Sequence, residues 1–371
     1  GGNNMAKKLS KLQIAQQEAE AAAIKTNKKI NKLGRYTGSL YSSLTAIQSL
    51  FDRIRNIPEE NKLKYEKLKA IRVNWKQQSE KIEAEYKKAE VKTAGQGAAG
   101  IGAGVAVAAL GPTAAMGIAT TFGVASTGTA ISALSGAAAT NAALAWLGGG
   151  ALAAGGGGMA AGNAFLALAG PVGWAIAGVA VVASGLMFFK TKCDKERLEK
   201  IYTLISKRDI KSYELAIVEL SERIRRIADE TEKLESAIAE VETFGIDYNK
   251  MTEEQQYKLG AYVNFMEAST MLLVNPILGL QPKFSEQDFK SLCTSENAEN
   301  RKYFKAHKAM TISMANLLFK IELEDKDKKL LAASLKKNKE FLSSINMTKS
   351  EFGADDISMI ERALNYKYSK I

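Results

Sequence analysis

The sequence predicts an all-α protein: a long helical hairpin or coiled-coil stalk, a Gly/Ala-rich membrane-inserting helical region and a C-terminal helical bundle. Three observations predict it. Residues 93–189 hold no Asp, Glu, Lys, Arg or His, a run of 97 uncharged positions between Lys92 and Lys190. On both sides of that run, apolar residues recur at alternating steps of three and four. The 371-residue chain has only five prolines and few alternating stretches of strand type. These features divide it into a basic N-terminal arm (5–92), the uncharged block (93–189), a second arm (190–246) and a C-terminal helical domain (247–371).

In the first arm, Gly1-Gly2-Asn3-Asn4 precede Met5 and are set aside from the fold. Ala6-Lys7-Lys8 follow without an apolar stretch behind them, so no signal peptide is expected and synthesis in the cytoplasm is. Ile30, Leu33, Thr37, Leu40, Leu44, Ile47, Phe51 and Ile54 then trace the seam of a helix that packs on another helix. Thr37 is the one polar interruption, and Gly34 weakens the turn before it. Pro58 ends this helix, and Glu59-Glu60 place acids at the start of the next. Leu68, Ile71, Trp75 and Ile82 line one side of that second helix, so an antiparallel hairpin is expected. Residues 1–92 carry 20 Lys/Arg against 10 Asp/Glu, which is nearly the whole net charge of +11. Beside a membrane segment such an arm favours an anionic lipid surface. Nucleic acid is the rival partner for a basic arm, but no recognition motif supports it.

The uncharged block is long enough for several passes of a bilayer, each needing about 20 residues. It is built of Gly, Ala, Ser and Thr more than of Leu or Phe. Small residues at four-residue spacing let helix backbones approach closely in lipid. Gly100–Gly104 gives one such face, Gly128–Ser132–Gly136 a second, and Gly173–Ala177 with Gly178 and Gly185 a third. Breaks are expected at Gly111-Pro112, Gly148–Gly150, Gly155–Gly158 and Gly170-Pro171. The candidate passes are about 99–125, kinked at Pro112, about 128–147 and about 163–189. Trp146 and Trp174 suit the interfacial belt, and Lys87, Lys88, Lys92, Lys190 and Lys192 suit lipid headgroups. Basic flanks on both sides prefer the cytoplasmic face, which favours two or four passes over three. A Gly/Ala segment gains less from lipid than a Leu-rich one, so it can also be held folded in water until a trigger releases it. Thr120, Thr121, Ser126, Asn141 and Asn163 would then line a wet lumen.

The second arm is the most regular stretch. Ile210, Tyr213, Ile217, Leu220, Ile224, Ile227, Thr231, Leu234, Ile238 and Val241 step by three and four without a slip. Its expected partner is the Ile30–Ile54 seam, with Ile30, Leu40, Leu44 and Ile47 facing Ile217, Leu220, Ile224 and Ile227. Pairing between copies, giving a homo-oligomer, would use the same surface. Beyond Gly245, Thr252–Gln255 reads as a capping box for a helix to about Val274, and Ser285–Asp288 caps a short one. Helices are expected at about 297–322, 326–345 and 348–369. A protein partner of this C-terminal domain is expected only if the chain acts as a scaffold.

Nothing in the sequence points to catalysis, a cofactor or a metal. Cys193 and Cys293 form no paired motif and His307 is the sole histidine, too few ligands of the usual kind for zinc. Cys193, just past the block, is a conceivable acylation position. Asp355 and Asp356 are adjacent and do not share a helix face, while Glu322 and Asp325 sit at an expected helix end. No phosphate-binding loop or nucleophile elbow occurs.

The arm–block–arm layout, with the run STGTAISALSGAAATNAALAWLGGGALAAGGGGMAAG at 126–162, resembles bacterial α-helical pore-forming toxins and membrane-attacking effectors. The resemblance covers the block by composition and the arms by periodicity, and it departs from secreted members in the missing signal peptide. It implies a non-enzymatic pore-former that oligomerises through its arms and inserts residues 93–189. The basic flanks make the producer's own membrane the implied target, as in self-directed antiviral defence. The alternative is a membrane-anchored oligomeric scaffold whose C-terminal domain recruits a partner.

Overall fold

The computed structural model describes residues 11–95, 112–122, 191–337, 341–342 and 345–371. The described residues are helical, with one isolated parallel bridge between Arg55 and Asp247 and no strand. In order the helices are α1 (Lys11–Arg53), α2 (Glu59–Gly95), α3 (Pro112–Phe122), α4 (Lys192–Val241) and α5 (Glu253–Val274). Five shorter ones follow: α6 (Glu286–Ser295), α7 (Ala298–Ala306), α8 (Lys308–Leu318), α9 (Asp325–Leu335) and α10 (Ala354–Tyr368).

The two arms meet as their periodicity requires. Ile30, Leu33, Leu40, Leu44, Ile47 and Phe51 of α1 and Leu220, Ile224, Ile227 and Leu234 of α4 are all buried, and α1 packs along α4 more extensively than along any other element. The pair runs parallel. Where both helices end, Arg55 N–H donates to Ile246 O at 2.8 Å and Tyr248 N–H to Arg55 O at 2.9 Å. Asn56, in the left-handed region at φ 65°, turns the chain before Pro58 and donates from its side chain to Asp247 at 3.0 Å. At 1.5 Å per residue the 43 and 50 residues of α1 and α4 span about 65 and 75 Å. Most seam residues are covered within one chain here, with Ile210, Thr231 and Ile238 half-buried. Ile217 departs from the expected seam: it is half-buried, while Ser212 and Ala216 beside it are buried. The reason is a second neighbour. The turn Leu278–Leu280 lies against this part of α4, and a Cβ on Gly279 would stand 2.9 Å from both Ser212 O and Ala216 N.

The expected antiparallel hairpin is modified. Phe51 meets Tyr65 and Tyr41 meets Trp75, ring centroids 5.3 and 5.5 Å apart, so α2 does run back along α1. Both helices, however, pack more extensively on α3 than on each other.

The C-terminal helices close around Phe284, Phe304, Phe341 and Phe352, all fully buried. Both expected capping boxes are present, Thr252 with Gln255 and Ser285 with Asp288. The helix expected over 297–322 is instead two, α7 and α8, divided at His307 (φ −120°, ψ 38°). Residues 310–318 of α8 are buried all round, whereas α7 buries only Phe304. A straight continuation could not satisfy both environments. The Asn316 amide pins the incoming chain to α8, donating to Phe284 O at 2.7 Å and Ile312 O at 2.8 Å and accepting from Phe284 N–H at 2.9 Å. The last two helices are shorter than expected, α9 ending at Leu335 and α10 starting at Ala354, where Gly353 N–H donates to Asp356 at 2.8 Å.

Candidate functional site

Apart from residues 93–95, which end α2, the described part of the uncharged block is α3, and it is held among the charged helices. Pro112 stands at its first residue, where the missing N–H costs nothing. Gly117 in its middle is unfavourable for an isolated helix by about 1 kcal/mol relative to Ala. Its value is in the crossing with α1. A Cβ on Gly117 would lie 2.0 Å from Ile30 O, and one on Gly34 would lie 1.7 Å from Thr113 O. The two backbones touch, and only glycine fits on either side. One turn further along α1, the position of a Cβ on Gly38 is 3.3 Å from the Met116 sulfur. Between the two glycines, Thr37 is buried and returns its hydroxyl to Gly34 O at 3.0 Å.

Two polar contacts complete the hold. From α2, Trp75 Nε1 donates to the Thr120 hydroxyl at 3.1 Å, with both side chains buried. At the far end, Thr121 O accepts from Ile277 N–H at 2.8 Å and from Gln281 Nε2 at 3.1 Å, so a carbonyl at the C-terminal end of α3 is satisfied by the 277–281 segment. That segment is itself fastened to α4. Glu219 accepts from the backbone N–H groups of Leu278 and Gly279, each at 2.7 Å, and Arg223 donates to Leu272 O and Asn275 O at 2.9 and 2.6 Å.

Beside this cradle, Arg72 of α2 is buried, with no carboxylate paired to it among the described residues. Its guanidinium donates to Gln48 of α1 at 2.6 Å and Thr270 of α5 at 3.1 Å. Burial pulls its pKa down to about 10, so it stays charged at neutral pH. One desolvated cation with neutral partners thus joins three helices, and breaking them apart rehydrates it.

Thr120 and Thr121, expected to line a lumen once the block inserts, are both buried here, and their hydroxyls are satisfied by Trp75 and by Gly117 O. The expected pass 99–125 is described only from Pro112 to Phe122. Gly100, Gly104, Gly128, Gly136, Gly173, Gly178, Gly185, Trp146, Trp174 and Lys190 lie outside the described residues, as do Ser126, Asn141 and Asn163. Lys87, Lys88 and Lys92 fall in the last turns of α2, where side chains are not described. Lys192 opens α4 with its side chain 92% exposed. Cys193 is an exposed free thiol; Cys293 is buried, which pushes its pKa up. Among the described helices, the stretch Glu253–Leu280 is long and apolar enough to cross a membrane, and 56% of its apolar 18-residue window is buried, as in a core helix.

Gly34, Gly38, Gly117 and the Trp75 N–H, which hold α3, make contacts that periodicity alone missed. The available signal was Gly34-x3-Gly38, the same small-residue spacing that marks the block, set in a charged arm. No known protein family, curated protein or solved structure matches this chain.

Proposed function

We propose that this protein is a non-enzymatic membrane-permeabilising effector, kept in a water-compatible form by its own arms and acting by insertion of residues 93–189 into a bilayer. One observation carries the reading: α3, a piece of a 97-residue charge-free run, is cradled among charged helices through a glycine–glycine crossing. Such a crossing buries backbone against backbone, with only small side chains and Ile118 of α3 in the core beside it. The same kind of contact holds helices together in lipid, where packing replaces the hydrophobic effect. A helix held this way can exchange a protein partner for a lipid-embedded one. The parallel arms support the reading further. With α2 running back along α1, both ends of the block leave from the same end of the α1–α4 pair, as a segment that enters a bilayer together requires.

Dye release from liposomes containing anionic lipid, with sedimentation of the same samples, tests it. Release with co-sedimentation is expected, and Gly104→Glu, Gly136→Glu or Gly178→Glu should abolish release while the helical content of the arms is unchanged. Co-sedimentation without release would replace the proposal by a membrane-anchored scaffold. Release that survives all three substitutions would contradict insertion of the block.

A further inference from the structure

The first turns of α4 after the uncharged block form one wall of a groove of about 1180 Å³. Lys200, Leu204, Lys207 and Lys211 lie on one face of α4 at steps of three and four. The opposite wall is the chain from Phe319 to Glu324, turned along α4 by Lys320 in the left-handed region at φ 57°. Two arginines of α4 tie its wall to the opposite one. Arg208 donates to Leu317 O at 2.7 Å and Phe319 O at 2.8 Å, and Arg197 pairs with Glu324 at 3.0 Å and Asp327 at 3.1 Å.

The charge inside is one-sided. Arg197 is taken up by Glu324 and Asp327, and Arg208 by Asp209 at 2.9 Å. Lys200, Lys207, Lys211, Lys283 and Lys320 also line the groove, and none of the five has an ion-pair partner among the described residues. Against them stands Glu322, an exposed acid on the lining. Lys283 is half-buried, and its pKa is lowered first by burial and then by Arg208. The floor between the lysines is apolar: Ile201 and Phe319 are nearly buried, while Leu204 is 43% exposed.

Lysines around an apolar floor that is partly exposed at Leu204 suit an amphiphile with an anionic head. The length agrees. From Arg197 to Lys211 α4 rises about 21 Å, close to one leaflet of a bilayer with its headgroups, roughly 20–22 Å. The volume is also larger than that of most small-ligand pockets, about 300–1,000 Å³. We infer that this groove binds a single anionic phospholipid, with the phosphate among Lys207, Lys211 and Lys320 and the acyl chains along Leu204 and Ile201. Choosing a lipid over another phosphate compound rests on the membrane reading above, and on the position of the groove just past the C-terminal junction of the block.

The test needs no bilayer, so its outcome is separate from that of pore formation. Short-chain dihexanoyl phosphatidylglycerol, below its micelle concentration, is titrated into the full chain by calorimetry. Dihexanoyl phosphatidylcholine, glycerophosphate and inorganic phosphate are titrated in parallel. Phosphatidylglycerol should bind, and the double substitution Lys207→Gln/Lys211→Gln should weaken it roughly tenfold or more. The control Lys233→Gln/Lys302→Gln, also exposed lysines, should leave binding unchanged. Equal binding of the choline lipid, or equal loss in the control, would overturn the site. Binding of glycerophosphate or inorganic phosphate as tight as that of the lipid would overturn the apolar half of the inference.

Discussion

Helix α1 makes two kinds of contact with opposite chemistry. Toward α4 it presents Leu33, Leu40, Leu44 and Ile47, large side chains excluded from water along a seam. Toward α3 it presents Gly34 and Gly38, where the backbones meet beside the buried side chains of Ala114, Ala115, Ile118 and Ala119 of α3. The first contact depends on water to drive it and would lose that drive in lipid. The second depends on shape, and works in either solvent. The molecule therefore joins its arms by a water-dependent seam and holds α3 by a contact of a kind that also packs helices in lipid.

Cutting into the seam should have the largest effect. Leu44→Ala leaves a cavity between α1 and α4 and is expected to cost about 2–5 kcal/mol of unfolding free energy, read from denaturant titration. The crossing should respond differently. Gly34→Val drives a side chain into the backbone of α3, an overpacking of about 1–3 kcal/mol, yet it removes a helix-weakening glycine from α1. Limited proteolysis is expected to cut within 112–122 sooner while the α1–α4 seam resists as before. If Gly34→Val instead melts the whole chain in one step, the two contacts are not separable.

Smaller changes sharpen the distinction. Trp75→Phe keeps the buried ring but leaves the Thr120 hydroxyl without its donor, a loss of about 1 kcal/mol. It should show as faster hydrogen exchange in 112–122 rather than as a large shift in global stability. The smallest effect is expected far from both contacts. Arg362 donates to both Glu296 oxygens at 2.7 and 3.0 Å, and this holds the Glu296 pKa below its ordinary 4.5. A carboxylate with a lowered folded pKa adds stability above its unfolded pKa and loses it as pH falls through the folded one. Arg362→Met should therefore cost about 1 kcal/mol or less at pH 7 and close to nothing once Glu296 is protonated. Thermal melts across that range, with the two contacts of α1 unaffected, check this.

What could be read from the sequence follows the same division. The seam was legible because large residues at steps of three and four leave a strong periodic mark, and Leu220, Ile224 and Ile227 are where that mark puts them. The caps at Thr252 and Ser285 were legible because they are local. Ile217 was misplaced because periodicity does not see a second neighbour: the turn at Gly279 takes the face beside Ala216. The division at His307 was missed for a related reason, since the burial of α8 on all sides is set by the elements around it. The crossing was hidden because a glycine in a helix reads as a defect until its partner is known. Gly34 and Gly117 are 83 residues apart, and neither alone says what it touches.

The most direct test of the central claim follows α3 during leakage. In a background with Cys193→Ser and Cys293→Ala, Thr113→Cys at the half-buried start of α3 and Ala46→Cys at an exposed position of α1 are each labelled with an environment-sensitive dye. Both are mixed with anionic liposomes whose leakage is recorded in the same cuvette. The Thr113→Cys label should move into an apolar environment, quenched by a lipid-borne nitroxide, in step with dye release, while the Ala46→Cys label stays in water. Leakage with the Thr113→Cys label unchanged would contradict the claim that the cradled helix leaves its glycine crossing for the bilayer.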